Sequence, residues 1–117
     1  MLDLIDREAS LELAALGLNA PQADTLVSVA RCGVVSAPQV MTVTGRSRQE
    51  TYDALNYLVS RSWLKREGRK PNTKYSLEKS IFSIIKDISD EESKHHLEMV
   101  QRIANVVHIF EKDLETD

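Results

Sequence analysis

The feature that most constrains the fold of this chain is a repeated helix-start signature. A short polar residue is followed three residues later by Gln or Glu at Asn19, Ser36, Ser47 and Ser89. In such a capping box the short side chain accepts a hydrogen bond from a free backbone N–H, and the longer side chain reaches back to the cap. Four such starts predict a mainly helical protein.

The spacing of these starts predicts a helix-turn-helix. The first helix should cover residues 2–16 and stop at Gly17, and the second should run from about residue 20 to 31 and stop at Gly33. A short third helix over residues 37–43 is separated from the Ser47 start by only Thr44-Gly45-Arg46. Two helices joined by so short a turn are typical of DNA-binding helix-turn-helix units.

The helix that starts at Ser47 has one apolar and one polar side. Thr51, Leu55 and Leu58 share a face at helical spacing and predict a buried stripe. The other side carries Arg48, Gln49, Tyr52 and Asn56. Arg can grip guanine or phosphate, Gln and Asn match the donor and acceptor of adenine, and Tyr can reach a phosphate. This pattern predicts the recognition helix of a winged helix-turn-helix.

Two short strand-compatible segments follow, at residues 63–67 and 73–77, separated by a basic turn. Leu64 and either Tyr75 or Leu77 are predicted to pack inward. Arg69 and Lys70 then project from the turn as a wing that reaches a phosphate or the minor groove. The alternative is a surface hairpin whose charges only keep an edge strand soluble.

The charge of the chain is segregated along the sequence. Residues 46–79 hold nine basic and four acidic residues, a net charge of +5, so that the rest of a chain of net charge −3 carries −8. A basic face on an acidic body is the electrostatic signature of a polyanion-binding protein. The alternative is that these charges form an ordinary solvated surface.

The last third of the chain is helical. Its final segment repeats apolar residues at steps of three and four, at Val100, Ile103, Val107, Phe110 and Leu114. Heptad spacing of this kind predicts a helix–helix partner. A homodimer suits DNA, because two recognition helices about 34 Å apart read a two-fold related site.

Other chemistry is set aside. His95 and His96 are adjacent and would point about 100° apart on a helix, so exposed polar residues are favoured over a metal site. The single cysteine, Cys32, is predicted to be a buried or half-buried thiol. No catalytic motif, phosphate-binding loop, cofactor signature, membrane span or secretory signal is present in the sequence. We therefore expect a cytoplasmic protein that is not an enzyme, and the sequence names no small-molecule effector.

The residues from about 10 to 78 resemble the DNA-binding domain of TrmB-type archaeal transcriptional regulators, and the wider MarR-like and ArsR-like groups are similar in plan. The resemblance rests on Leu16-Gly17-Leu18-Asn19, on Thr44-Gly45 followed by residues 46–55, and on Lys74-Tyr75 at the end of a basic hairpin. Ser62 and Trp63 depart from the family, which commonly has a Gly-Leu pair before the wing. Trp63 is expected to anchor the base of the wing. The family usually continues into a coiled coil and a sugar-binding domain, whereas here we expect a compact member that lacks the latter.

The predicted fold is mainly α with a small β-hairpin, an α+β winged helix-turn-helix at 1–78 followed by a C-terminal dimerisation helix at 79–117. The predicted function is a dimeric, sequence-specific transcriptional regulator that binds double-stranded DNA. Two alternatives stay open: a winged-helix protein-interaction module and a weakly specific architectural DNA-binding protein. The predicted DNA contacts are Arg46, Ser47, Arg48, Gln49, Tyr52, Asn56, Arg69, Lys70 and Lys74.

Overall fold

The computed structural model describes residues 3–92 and 97–115; among these, the side chains of residues 91–92, 97–100 and 112–115 are not described. The elements in chain order are α1 (Leu4–Ala15), α2 (Ala20–Cys32), α3 (Ala37–Thr44), α4 (Arg48–Ser60), β1 (Leu64–Glu67), β2 (Lys74–Leu77), α5 (Ile81–Glu92) and α6 (Leu97–Glu115). The predicted α+β architecture, mainly helical with one hairpin, is confirmed.

Three of the four predicted helix starts are confirmed. The side chains of Asn19, Ser36 and Ser47 cap α2, α3 and α4, each as part of a reciprocal capping box. The fourth prediction is wrong. Ser89 lies inside α5, and its hydroxyl donates to the carbonyl of Lys86 at 2.9 Å. Ser89 is itself buried on the same face of α5 as Ile85 and Ile88, so packing keeps the helix intact where the local signature predicted a new start.

The core is built around α2, which contacts α1, α3, α4 and β2. Its apolar face, with Leu26, Val27 and Val29, is fully buried. The predicted stripe of the Ser47 helix is buried as expected, with Thr51 and Leu55 among the best covered residues of α4. This packing holds the polar side of α4 toward solvent.

The hairpin pairs β1 and β2 antiparallel with Leu64 opposite Leu77. Just before α3, Val35 forms an isolated bridge with Tyr75, and the two residues exchange backbone hydrogen bonds of 2.9 and 2.7 Å. Leu64 and Tyr75 are buried, as the sequence predicted. The bridge fastens the wing to the segment that leads into α3.

Trp63 anchors the base of the wing, as expected. It is buried, its ring packs edge-on against Tyr57, and its indole N–H donates to Asp87 of α5 at 3.0 Å. Lys79 also donates to Asp87, and these two hydrogen bonds lower the pKa of that carboxyl below its usual value, the one from Lys79 contributing more. Ser62, where the resembled family has glycine, adopts a positive φ of 62°. That conformation is one that glycine adopts without strain.

Cys32 is exposed, so the prediction of a buried or half-buried thiol is wrong. It is the last residue of α2 and lies beyond the buried run that ends at Val29. The adjacent His95 and His96 lie outside the described residues. No described helix is long and apolar enough to cross a membrane.

Candidate nucleic-acid interface

The start of α4 is fixed by a closed set of hydrogen bonds. The backbone N–H of Glu50 donates to the Ser47 hydroxyl oxygen at 3.2 Å, and the N–H of Ser47 donates to the Glu50 carboxylate at 3.3 Å. The Ser47 hydroxyl also donates to that carboxylate at 3.1 Å. The hydrogen bonds from Ser47, its backbone N–H first, lower the pKa of Glu50. Ser47, a predicted DNA contact, therefore already acts as the helix cap.

One stripe of α4 faces the wing. Arg48, Tyr52 and Asn56 follow one another at intervals of four residues, which places them on the same side of a helix. The guanidinium of Arg48 lies over the Tyr52 ring, 5.0 Å from its centre. This contact holds the Arg48 side chain against the helix and leaves its N–H donors without a hydrogen-bond partner among the residues that the structure describes.

This stripe forms one wall of an open groove of about 630 Å³, and the wing and the start of α3 form the others. The groove is lined by Ser36, Ala37, Pro38, Arg48, Tyr52, Asn56, Arg66, Lys70, Pro71, Thr73, Lys74 and Tyr75. Four of these twelve residues are cations and none is acidic. A groove with charge of one sign concentrates anions and attracts a polyanion.

The structure brings most of the predicted DNA contacts to this groove. Arg48, Tyr52, Asn56, Lys70 and Lys74 line it. A smaller adjoining depression adds one more predicted contact and is lined by Arg48, Gln49, Tyr52 and Lys70. The predictions from helical spacing and from the hairpin therefore converge on a single surface.

Arg69 lies at the exposed tip of the wing and is not among the groove-lining residues. Its carbonyl accepts a hydrogen bond from the N–H of Asn72 that closes the turn. Gly68 leads into this turn at φ 84°, and a Cβ there would lie 2.7 Å from the carbonyl oxygen of Asn72. The turn therefore requires glycine, and it carries Arg69 beyond the groove.

Arg46 is not brought to the groove. Its Nε donates to Asp24 of α2 at 2.9 Å, and its Nη1 donates to Glu50 of α4 at 3.1 Å. Asp24 also accepts a hydrogen bond from Ser10 of α1. The Arg46 side chain is only 26% exposed. The guanidinium thus joins α2 and α4 through paired charges, and Ser10 attaches α1 to the same carboxylate. The phosphate contact predicted for Arg46 from its position beside Ser47 stays a prediction.

Arg66 is a groove residue that the sequence analysis missed. Its Nη2 donates to the Oδ1 atom of Asn56, and its guanidinium lies 5.6 Å from the centre of the Tyr75 ring. The available signal was strand alternation, because Arg66 is two residues from the buried Leu64 and so projects from the same face of β1. That face is turned toward α4.

The predicted dimerisation stripe on α6 is partly covered by its own chain. Phe110 is buried in the core, and Ile103 and Val107 are half-buried against it. The side chains of Val100 and Leu114 lie outside the described ones. On α1, which contacts α6, Leu4 and Leu11 are 75% and 69% exposed. The described part of the chain contains no group of three or more His, Cys, Asp or Glu residues that could hold a metal ion.

The fold is similar to that of three solved structures. They are Rv1404 from Mycobacterium tuberculosis, wild-type MarR from E. coli in its apo form, and the oxidized form of E. coli MarR, with sequence identities of 16%, 16% and 17%. The matches cover 96%, 99% and 99% of this chain and 84%, 97% and 94% of those chains, each with a TM-score of 0.55. No protein-family model matches the chain, and no curated protein is similar to it in sequence. The chain therefore has the winged-helix architecture seen in MarR.

Proposed function

We propose that this protein is a homodimeric, sequence-specific DNA-binding transcriptional regulator, related in plan to the TrmB-type and MarR-like regulators that its sequence resembles. The observation that carries the proposal is the groove between α4 and the wing. Three cations of the wing face a polar helix stripe that carries a fourth, Arg48, and none of the groove-lining residues is acidic. Such a surface suits a polyanion whose bases carry hydrogen-bonding groups.

In this proposal α4 enters the major groove with Arg48 and Gln49 at the base edges, where Arg suits guanine and Gln suits adenine. Lys70 and Lys74 on the wing contact phosphates, and Arg69 at the tip reaches toward the minor groove. With α4 in one groove of the DNA and the wing at the next, the intervening sugar–phosphate strand runs between α4 and the wing. The protein groove of about 630 Å³ lies between these two elements.

Tyr52 and Asn56 complete the wing-side wall of α4. Tyr52 supports Arg48 through its ring, and its hydroxyl suits a phosphate oxygen. Ser47 contributes by capping the helix that carries the contacts. Arg46 contributes by holding the turn against α1 and α2, since its donors are engaged by carboxylates.

The partner of the C-terminal segment in this proposal is a second copy of the chain. Leu4 and Leu11 on α1 are exposed, and α1 contacts α6, where Ile109 is only partly covered. A depression between the two helices is lined by Glu8, Leu11, Glu12, Asn105, His108 and Ile109. Burying this apolar surface against its two-fold copy would bring two recognition helices onto one DNA duplex. The proposed division is therefore 1–78 for DNA binding and 79–117 for dimerisation, with α1 contributing to both.

The test is selection of bound duplexes from a random pool, with sedimentation of the same protein to measure its mass. We expect an inverted repeat whose halves are about one helical turn apart, bound by a dimer. Similar affinity for unrelated duplexes would identify an architectural DNA-binding protein instead. Negligible binding at moderate salt would identify a protein-interaction module.

A further inference from the structure

The polar side chains of α4 are held in one orientation by neighbours that the DNA-contact pattern did not include. Asn56 is held by Arg66 of β1, whose Nη2 donates to its Oδ1 atom. Gln49 is held by Asp53 on the next turn, because the Gln49 Nε2 atom donates to an oxygen of Asp53 at 2.9 Å. Both contacts lie on the exposed surface of the helix.

The chemistry of the two partners decides which way each amide points. A guanidinium only donates hydrogen bonds, so the group of Asn56 that faces Arg66 must be its carbonyl oxygen. An ionised carboxylate only accepts, so the group of Gln49 that faces Asp53 must be its NH₂. The orientation of both amides therefore follows from the partners themselves.

These orientations make the two sides of the helix chemically different. Bidentate recognition of adenine requires an amide that turns both its oxygen and its nitrogen to the same base edge. Asn56 has its oxygen turned toward Arg66, so Asn56 and Arg66 together offer N–H donors. The Gln49 oxygen and the second oxygen of Asp53 have no hydrogen-bond partner among the described residues, so this pair offers mainly acceptors.

We propose that Arg66 and Asp53 are specificity-determining residues. Arg66 makes the side of α4 that faces the wing recognise bases through their hydrogen-bond acceptors, and Asp53 makes the side that carries Gln49 recognise bases through their amino groups. In the major groove, guanine presents two acceptors, O6 and N7, whereas adenine presents one acceptor, N7, beside its amino group, and cytosine presents an amino group. Asn56 thus favours guanine over adenine, and the adenine preference expected of an isolated asparagine is lost. This inference rests on the proposed DNA-binding function.

The test compares the base preferences of variants in the same random-pool selection. Arg66→Gln replaces a side chain that only donates hydrogen bonds with one that also accepts them, so that the side-chain amide of Asn56 can rotate by about 180°. We expect the preference for guanine over adenine at one position to fall about tenfold, within the range of a bidentate contact. Arg66→Lys keeps a pure donor and should retain the preference.

Lys65→Gln is the matched control, because Lys65 lies on the same strand, pairs with Glu67 at 3.0 Å and does not line the groove. It removes the same charge and should leave every base preference unchanged. In an Asn56→Ala background, Arg66→Gln should no longer alter the preference at that position. Asp53→Asn should relax a different position, the one read by Gln49, because asparagine can donate to the Gln49 oxygen.

Two results would overturn the inference. If Arg66→Gln and Lys65→Gln weaken binding equally on all sequences and leave the selected motif unchanged, Arg66 serves phosphates only. In that case the proposed function stands. If the unaltered protein enriches no motif at all, the proposed function fails and the inference fails with it. Melting curves of each variant establish that the compared proteins are folded.

Discussion

Arg46 and Arg48 lie on either side of the helix cap Ser47, yet their surroundings are opposite. Arg46 is held by two carboxylates, Asp24 and Glu50. Arg48 makes no ion pair with a described residue and lies over the ring of Tyr52 in a groove without acidic lining residues. The placement of carboxylates, more than the placement of cations, thus decides which basic residues are available to a polyanion.

The same contrast extends to the surfaces around Arg46 and Arg48. On the turn side, Ser10, Asp24 and Glu50 bring three helices together around one guanidinium. On the wing side, Lys70 and Lys74 make no ion pair with any described residue, and they share the groove with Arg48. The turn side is therefore a structural joint, whereas the wing side is the proposed binding surface, and the following predictions test that division.

The largest expected effect comes from removing two wing cations together. The double variant Lys70→Ala with Lys74→Ala should make the slope of log affinity against log salt less steep by about 2, since each phosphate contact contributes about 0.9. At about 0.1 M salt this corresponds to roughly 60-fold weaker binding on every duplex. Titrations of fluorescent duplexes at several salt concentrations measure it. An unchanged slope would show that the wing does not touch phosphates.

Arg48→Ala should weaken binding by about 1–3 kcal/mol on the preferred sequence and much less on unrelated sequences, because a base contact is lost. Competition between the selected duplex and a scrambled one measures the difference. An equal loss on both duplexes would reassign Arg48 to the phosphates.

Arg46→Met should act on folding. The free energy of unfolding is expected to fall by about 1 kcal/mol, because Asp24 loses its partner in a site that is still partly hydrated. The salt slope of DNA binding should stay unchanged. Urea unfolding measures the free energy of unfolding, and duplex titration measures the salt slope. Arg48→Ala is the control in which an exposed arginine is removed. A less steep salt slope for Arg46→Met would show that Arg46 contacts phosphates.

The smallest effect concerns pH. The hydrogen bonds from Ser47 lower the pKa of Glu50 below the ordinary value of a glutamate side chain. A carboxyl with a lowered pKa in the folded state stabilises the fold fully above its unfolded pKa, and this stabilisation is lost as the pH falls through the folded value. Glu50→Gln keeps an acceptor for the Ser47 N–H but does not titrate there. Its melting temperature should therefore fall less than that of the unaltered protein between about pH 5 and pH 3, as thermal unfolding would show. Parallel curves would contradict this role for Glu50.

Predictions from the sequence were correct where a structural feature depends on residues close together in the chain. The cap at Ser47, the buried stripe with Leu55 and the inward-facing Leu64 all follow from spacings of two to four residues. Prediction from the sequence failed at Ser89, where a correct local signature lies inside a longer packed helix. It also failed at Cys32, because an apolar tendency does not reveal where a helix passes the edge of the core.

The amino-acid sequence by itself determined the helix starts, the polar and apolar sides of α4 and the basic character of the hairpin, because each depends on residues within one or two turns of each other. Only the tertiary structure decided that Arg46 meets Asp24, 22 positions away, and that Arg66 meets Asn56, 10 positions away. The availability of a charged or amide group depends on its partners in space. Those partners are set by how α2, α4 and the wing pack together.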